Sequence, residues 1–135
     1  MRHIVALLIA LALATVAEAQ TASITLTWTA PGDDGNVGKA TIYALRYSTA
    51  PPAADTLSWW NAATPATGLP APATAGMTQT VTLAPIGGFA AGSYYFAIRA
   101  FDEMDNASPI SNIALRSVAV VDATPPGRIT DLRSP

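Results

Sequence analysis

The sequence predicts an all-β fold, an antiparallel β-sandwich, on three observations. Tyr94, Phe96, Ile98 and Ala100 alternate with Tyr95, Ala97, Arg99 and Phe101, and Ile24, Leu26 and Trp28 alternate with Thr25, Thr27 and Thr29. A period of two with one apolar face suits a half-buried strand, because successive side chains point to opposite sides of a sheet. Similar runs recur along the chain between clusters of Gly, Pro and Asp, which are the residues that turn a backbone. Beyond the first twenty residues, no apolar stripe of helical period is long enough to compete.

The chain opens with a segment that stands apart from the fold. Arg2 and His3 precede the apolar run Ile4–Ala14, and Ala17-Glu18-Ala19 fits a small-x-small cleavage site, so residues 1–19 read as a signal peptide. As a helix the run spans about 16 Å against roughly 30 Å of bilayer hydrocarbon, so no membrane span is expected after cleavage. Residues 20–121 then form one domain. Its first strand, Thr21–Thr29, is ended by Pro31-Gly32-Asp33-Asp34-Gly35. Ala40–Ser48 is the second, with Tyr43, Leu45 and Tyr47 on one face, and Pro51-Pro52 stops it. Residues 53–76, rich in Ala, Pro and Thr, read as a long crossing connection with a short strand near Leu57–Asn61. Met77–Leu83 is a strand with Gln79, Val81 and Leu83 on one side. The Gly-rich turn Ile86–Ser93 leads into Tyr94–Phe101, and after the loop Asp102–Pro109 the last strand is Ile110–Val120. From Asp122 the composition shifts to a Pro-Pro linker and an Ile129/Leu132 segment, so residues 122–135 read as a linker and the start of a following module.

Composition removes several function classes. The net charge is −2 and stays so after cleavage, because Arg2 and Glu18 leave together; Lys39 is the only lysine. Nucleic-acid binding by phosphate neutralisation is not expected of such a chain. The only histidine, His3, lies in the predicted signal, and there is no cysteine. Ser–His–Asp, Cys–His and histidine-metal chemistries therefore lack their residues, and stability must come from packing without disulfides. A Ser–Lys pair would depend on Lys39 in a turn, and a two-carboxylate glycosidase would need a cleft that so short a sandwich does not offer. A small hydrolase is disfavoured, and the expected protein is not an enzyme.

Several of these stretches resemble the fibronectin type III family, an immunoglobulin-like antiparallel β-sandwich. Trp28 in ITLTWTAP sits where the family carries its core tryptophan on strand B. Tyr43-Ala44-Leu45-Arg46-Tyr47 is similar to strand C. Gly92-Ser93 followed by Tyr94, Phe96, Ile98 and Ala100 is similar to strand F, with Tyr94 as its corner tyrosine, and Ser108–Asn112 resembles the start of strand G. The likeness covers roughly Ile24–Val120, and the PGDDG turn with the strand that follows is similar to modules of exported bacterial proteins and to that of the calcium-activated chloride channel regulators. It departs from the family at the start, where only Gln20–Ser23 stand in place of strand A, while the strand A-like PPGRITDL lies at Pro125–Leu132. Strand A is then absent, or the C-terminal segment belongs to a second module, or that segment pairs with the vacant edge in its own chain or a neighbour's.

The resemblance implies a secreted, extracellular or periplasmic module that acts as a spacer or protein-interaction domain, with a protein or polysaccharide partner and a capacity for strand-mediated self-association. It also implies that the two acidic loops share one pole, bringing Asp33 and Asp34 near Asp102, Glu103, Asp105 and Asn106. Hard oxygen ligands of that kind suit calcium, which takes six to eight of them; the same residues also suit Asx-turns that satisfy backbone N–H groups. No other cofactor is expected. Trp59 and Trp60, facing opposite ways on a strand, would leave one ring exposed to stack on a sugar, the basis of a carbohydrate-binding alternative; the competing role is cover for a sheet edge. Tyr95 and Arg99, on the outer face of the Tyr94 strand, could extend such a binding patch.

Overall fold

Alternation becomes structure most directly in the two runs that predicted the fold. The computed structural model describes residues 22–119 and 126–133; the signal-peptide reading and the Pro-rich start of the linker fall outside these. The elements in chain order are β1 (Ile24–Thr29), β2 (Ile42–Ser48), α1 (Thr56–Ala62), β3 (Thr64–Pro65), β4 (Thr78–Leu83), β5 (Gly92–Phe101) and β6 (Ala114–Val118). β1 pairs only with β4 among the described residues, and the second sheet runs β3-β2-β5-β6; every pair is antiparallel.

The inward residues of both sheets share one core. Ile24 and Leu26 of β1 and Val81 and Leu83 of β4 meet Leu45, Tyr94 and Phe96 of the facing sheet, with Phe89 closing one end. Phe96 is 2 % exposed, and Phe89 stands edge-on to Tyr94 at 4.9 Å between ring centres. The Tyr94 hydroxyl donates back to the Ala90 carbonyl at 3.1 Å, pinning the corner at which the chain enters β5. Outside, threonine hydroxyls pair across β1 and β4, Thr25 with Thr82 at 2.9 Å and Thr27 with Thr80 at 3.2 Å. Such cross-strand pairs help fix register, since a one-residue slip would turn the core face outward.

Three expectations are corrected. Leu57–Asn61 is not a strand but part of helix α1. Asp55 caps it, accepting from Leu57 N at 3.1 Å and Ser58 N at 3.2 Å, and the Ser58 hydroxyl donates to its other oxygen at 2.6 Å. An Asp that satisfies first-turn N–H groups starts a helix, and here that local chemistry prevails over the aromatic residues' preference for strands. The last strand begins at Ala114, not Ile110. Pro109 has no N–H to give, and before β6 side chains take over from the ladder: Ser108 Oγ accepts from Ala100 N and Ser111 Oγ from Ile98 N, both at 3.0 Å. Finally, residues 126–133 form no strand on their own domain and are exposed throughout, with Ile129 at 77 % and Leu132 at 91 %.

Candidate functional site

Three surfaces of the domain could do chemistry: the loop pole, the outer face of the β2–β5 sheet, and the open side next to β1. The first two contain the residues singled out in the sequence.

At the loop pole the turn after β1 and the loop after β5 do meet, lining a cavity of about 240 Å³ with Asp33, Asp102 and Asn106 among its walls. Backbone geometry explains the turn. Gly32 lies so close to Val37 that a Cβ there would sit 2.2 Å from the Val37 carbonyl oxygen, and Asp33 N donates to that same oxygen at 2.8 Å. In the opposite loop Asp102 is spent on its own backbone. One carboxylate oxygen accepts from Met104 N at 2.9 Å and Asn106 N at 2.8 Å, and the other accepts from Asn106 Nδ2 at 2.7 Å. These bonds, the Asn106 side chain first, hold the Asp102 carboxyl below its ordinary pKa. Asp105 has φ of 62°, a left-handed conformation that Asp tolerates, and serves the turn rather than the cavity. Asp33 is the exception. Its Oδ1 is shut from solvent with no donor among the described residues, and burial of the carboxyl, then the charge and closeness of the Glu103 carboxyl and the charges of Asp34 and Asp102, push its pKa up. The pole is thus an Asx-turn and a crowded carboxylate; among the described residues no group of acidic side chains is spaced to hold a metal ion.

The outer sheet face is covered. Helix α1 lies on it, and Trp59 and Trp60 are 7 % and 4 % exposed, packed with Ala63 and Ala97 and flanked by Ala44, Tyr95 and Ile113. On a helix, residues 59, 60 and 63 share a face, so both rings turn inward where a strand would have parted them. Trp59 Nε1 donates to the Ala50 carbonyl at 2.9 Å, and Arg46 lies over the Trp60 ring at 5.2 Å while donating to the Trp60 and Asn61 carbonyls. Arg99 approaches the same ring from 5.9 Å and bonds Ser108 O at 2.8 Å. Neither indole presents a free face to a sugar, and Tyr95 and Arg99 are engaged in holding this layer together. The signal for the helix was in the sequence: Asp55 two residues before Leu57, with no Gly or Pro as far as Asn61.

The open side lies at the edge where the resemblance lacks strand A, though the residues that line it were not legible in the sequence. With nothing beside β1 on its outer edge among the described residues, the gap between β1 and the segment 108–114 forms a groove. A cavity of about 330 Å³ is bounded by Trp28, Tyr43, Ile98 and Ser111, and one of about 110 Å³ continues it past Leu26, Phe96 and Ala114. Pro31, Ser108 and Pro109 are shared with the loop-pole cavity, so the groove runs on to the acidic end. Trp28 stands edge-on to Tyr43 at 5.3 Å, and its buried Nε1 finds no acceptor among the described residues. The ring lines the groove while its N–H is shut from solvent without an acceptor among the described residues, which marks this side as the candidate site. Comparisons with protein-family models, curated proteins and solved structures returned no match.

Proposed function

We propose that this chain is an exported, non-catalytic module of the fibronectin type III kind, serving as a spacer or protein-interaction domain outside the cell or in a periplasm. Three features support the family reading: the split of strands into β1-β4 and β3-β2-β5-β6, the Tyr94 hydroxyl turned back to Ala90, and Trp28 on β1. Recognition falls on the open side. A free strand edge offers backbone donors and acceptors, and the apolar groove beside it takes alternate side chains, which together suit an extended polypeptide. The groove along β1 is the observation that carries this reading.

A polysaccharide partner is the weaker reading, because both indoles expected to bind it are buried under α1. A calcium role is weaker too, since both Asp102 oxygens already accept N–H bonds from their own loop. The test is a titration of the isotopically labelled mature chain with a panel of extended peptides, alongside affinity electrophoresis on insoluble polysaccharides. Peptide-induced shifts at Leu26–Thr29 and Ser108–Ala114 without retardation on polysaccharide are expected. Retardation without those shifts would replace the proposal by the carbohydrate reading.

A further inference from the structure

We infer that the groove beside β1 accepts residues 126–133 of a second copy of this chain as an added strand. The inference rests on the polypeptide-recognition reading above and names the occupant. One molecule carries both halves of the contact. Among the described residues its groove lacks a strand, and its segment PGRITDLR is exposed along its length, with Leu132 and Ile129 among the most exposed large apolar residues described.

Charge and register favour the fit. The groove ends at the pole where Asp33, Asp34, Asp102 and Glu103 crowd together, and the segment carries Arg128 near its start, with its one carboxylate, Asp131, three residues further on. Entering antiparallel to β1, as every described strand pair does, the segment places Arg128 first, at the acidic end. Opposing Arg128 to Ala30 puts Thr130 opposite Trp28 and Leu132 opposite Leu26. Side chains alternate, so Arg128, Thr130 and Leu132 then face inward: the guanidinium reaches the carboxylates, Thr130 packs over Trp28 where that ring lines the groove, and Leu132 fills the groove by Ala114. Arg128 and Ala30 each stand four residues from their leucine partners, so the two strands keep step. The chain's own tail is worse placed. β6 ends with Val118 opposite Gly92, at the pole where β1 begins, so a tail folding straight back would run parallel to β1 with Arg128 far from the acidic end.

The absence of cysteine makes the register directly testable. Thr29 and Ile129 would oppose each other on the outward face, and both are exposed, so Thr29→Cys and Ile129→Cys leave the core untouched. Mixing the two single variants under mild oxidation should give a mixed disulfide dimer faster than either alone gives its own. Sedimentation equilibrium of the mature chain should show self-association, weakened about tenfold or more by Leu132→Asp, the loss expected when a leucine no longer finds an apolar site. A chain that stays monomeric at all concentrations and forms no mixed disulfide overturns the inference. So does association that survives Leu132→Asp. A double variant that links within one monomer assigns the groove to the chain's own tail and overturns it as well. If unrelated peptides shift β1 resonances while residues 126–133 do not, this inference fails and the broader proposal stands.

Discussion

Replacing Trp60 by Ala distinguishes a structural indole from a sugar platform. Trp60 is 4 % exposed, wedged between Trp59, Ala63 and Ala97, with Arg46 at 5.2 Å and Arg99 at 5.9 Å from its ring. Truncating a buried tryptophan costs about 3–5 kcal/mol. The two cation–π contacts account for roughly 0.5–2 kcal/mol of that. The Arg46 bonds to the Trp60 and Asn61 carbonyls are to backbone, so the substitution itself leaves their acceptors in place and they are lost only as α1 comes away. A seven-residue helix has little stability of its own, so α1 should detach once its larger anchor is gone. A loss of about 4 kcal/mol is a large part of the 5–15 kcal/mol typical of a domain and should lower Tm by roughly 15–25 °C. Urea unfolding followed by circular dichroism, with thermal melting beside it, measures both. A variant that melts within about 2 °C of the parent would refute the buried, load-carrying role of Trp60 and reopen the surface to carbohydrate.

Other outcomes follow from the same geometry. Gly32→Ala forces a Cβ to within 2.2 Å of the Val37 carbonyl oxygen, so the turn must shift; a loss of about 1–3 kcal/mol in chemical unfolding is expected. Tyr94→Phe removes the 3.1 Å bond to Ala90 while keeping the ring and should cost about 0.5–1.5 kcal/mol. Asp33, with its folded pKa raised above 3.8, favours the fold below that pH and loses the benefit as pH rises through the raised value. Asp33→Asn should therefore be more stable than the parent near neutrality and match it well below pH 3.8. Asp102, with its folded pKa lowered, behaves oppositely: its stabilisation is present above 3.8 and lost as pH falls through the folded value, so Asp102→Ala should be less stable at neutral pH by a margin that shrinks in acid. Melting curves at several pH values check both.

Much of the fold was legible because it was written in local alternation. The faces of β2, β4 and β5 fell where Tyr43, Val81 and Phe96 placed them, since a strand's period of two is a property of the backbone itself. The pairing of an acidic turn with an acidic loop was legible as well, and Asp33 does lie beside Glu103 and Asp102. Trp59 and Trp60 were misread because adjacent aromatics look like a strand until Asp55 is given the weight of a helix cap. The start of β6 was misread because Ser111 bonds the Ile98 backbone through its hydroxyl, a substitution that apolar patterning does not register.

By itself the sequence determined that this is a mostly β chain without cysteine and with a single histidine, His3, in the apolar N-terminal segment. Those conclusions depend only on residue types and their spacing. The tertiary structure decided which surfaces remain for recognition. It set the candidate indoles on a helix and buried them against the sheet, turned Asp102 onto its own loop, and left a groove beside β1 with Trp28 Nε1 lacking an acceptor among the described residues. Exposure and vacancy arise from distant segments packing, or failing to pack, against one another, and no local pattern records them.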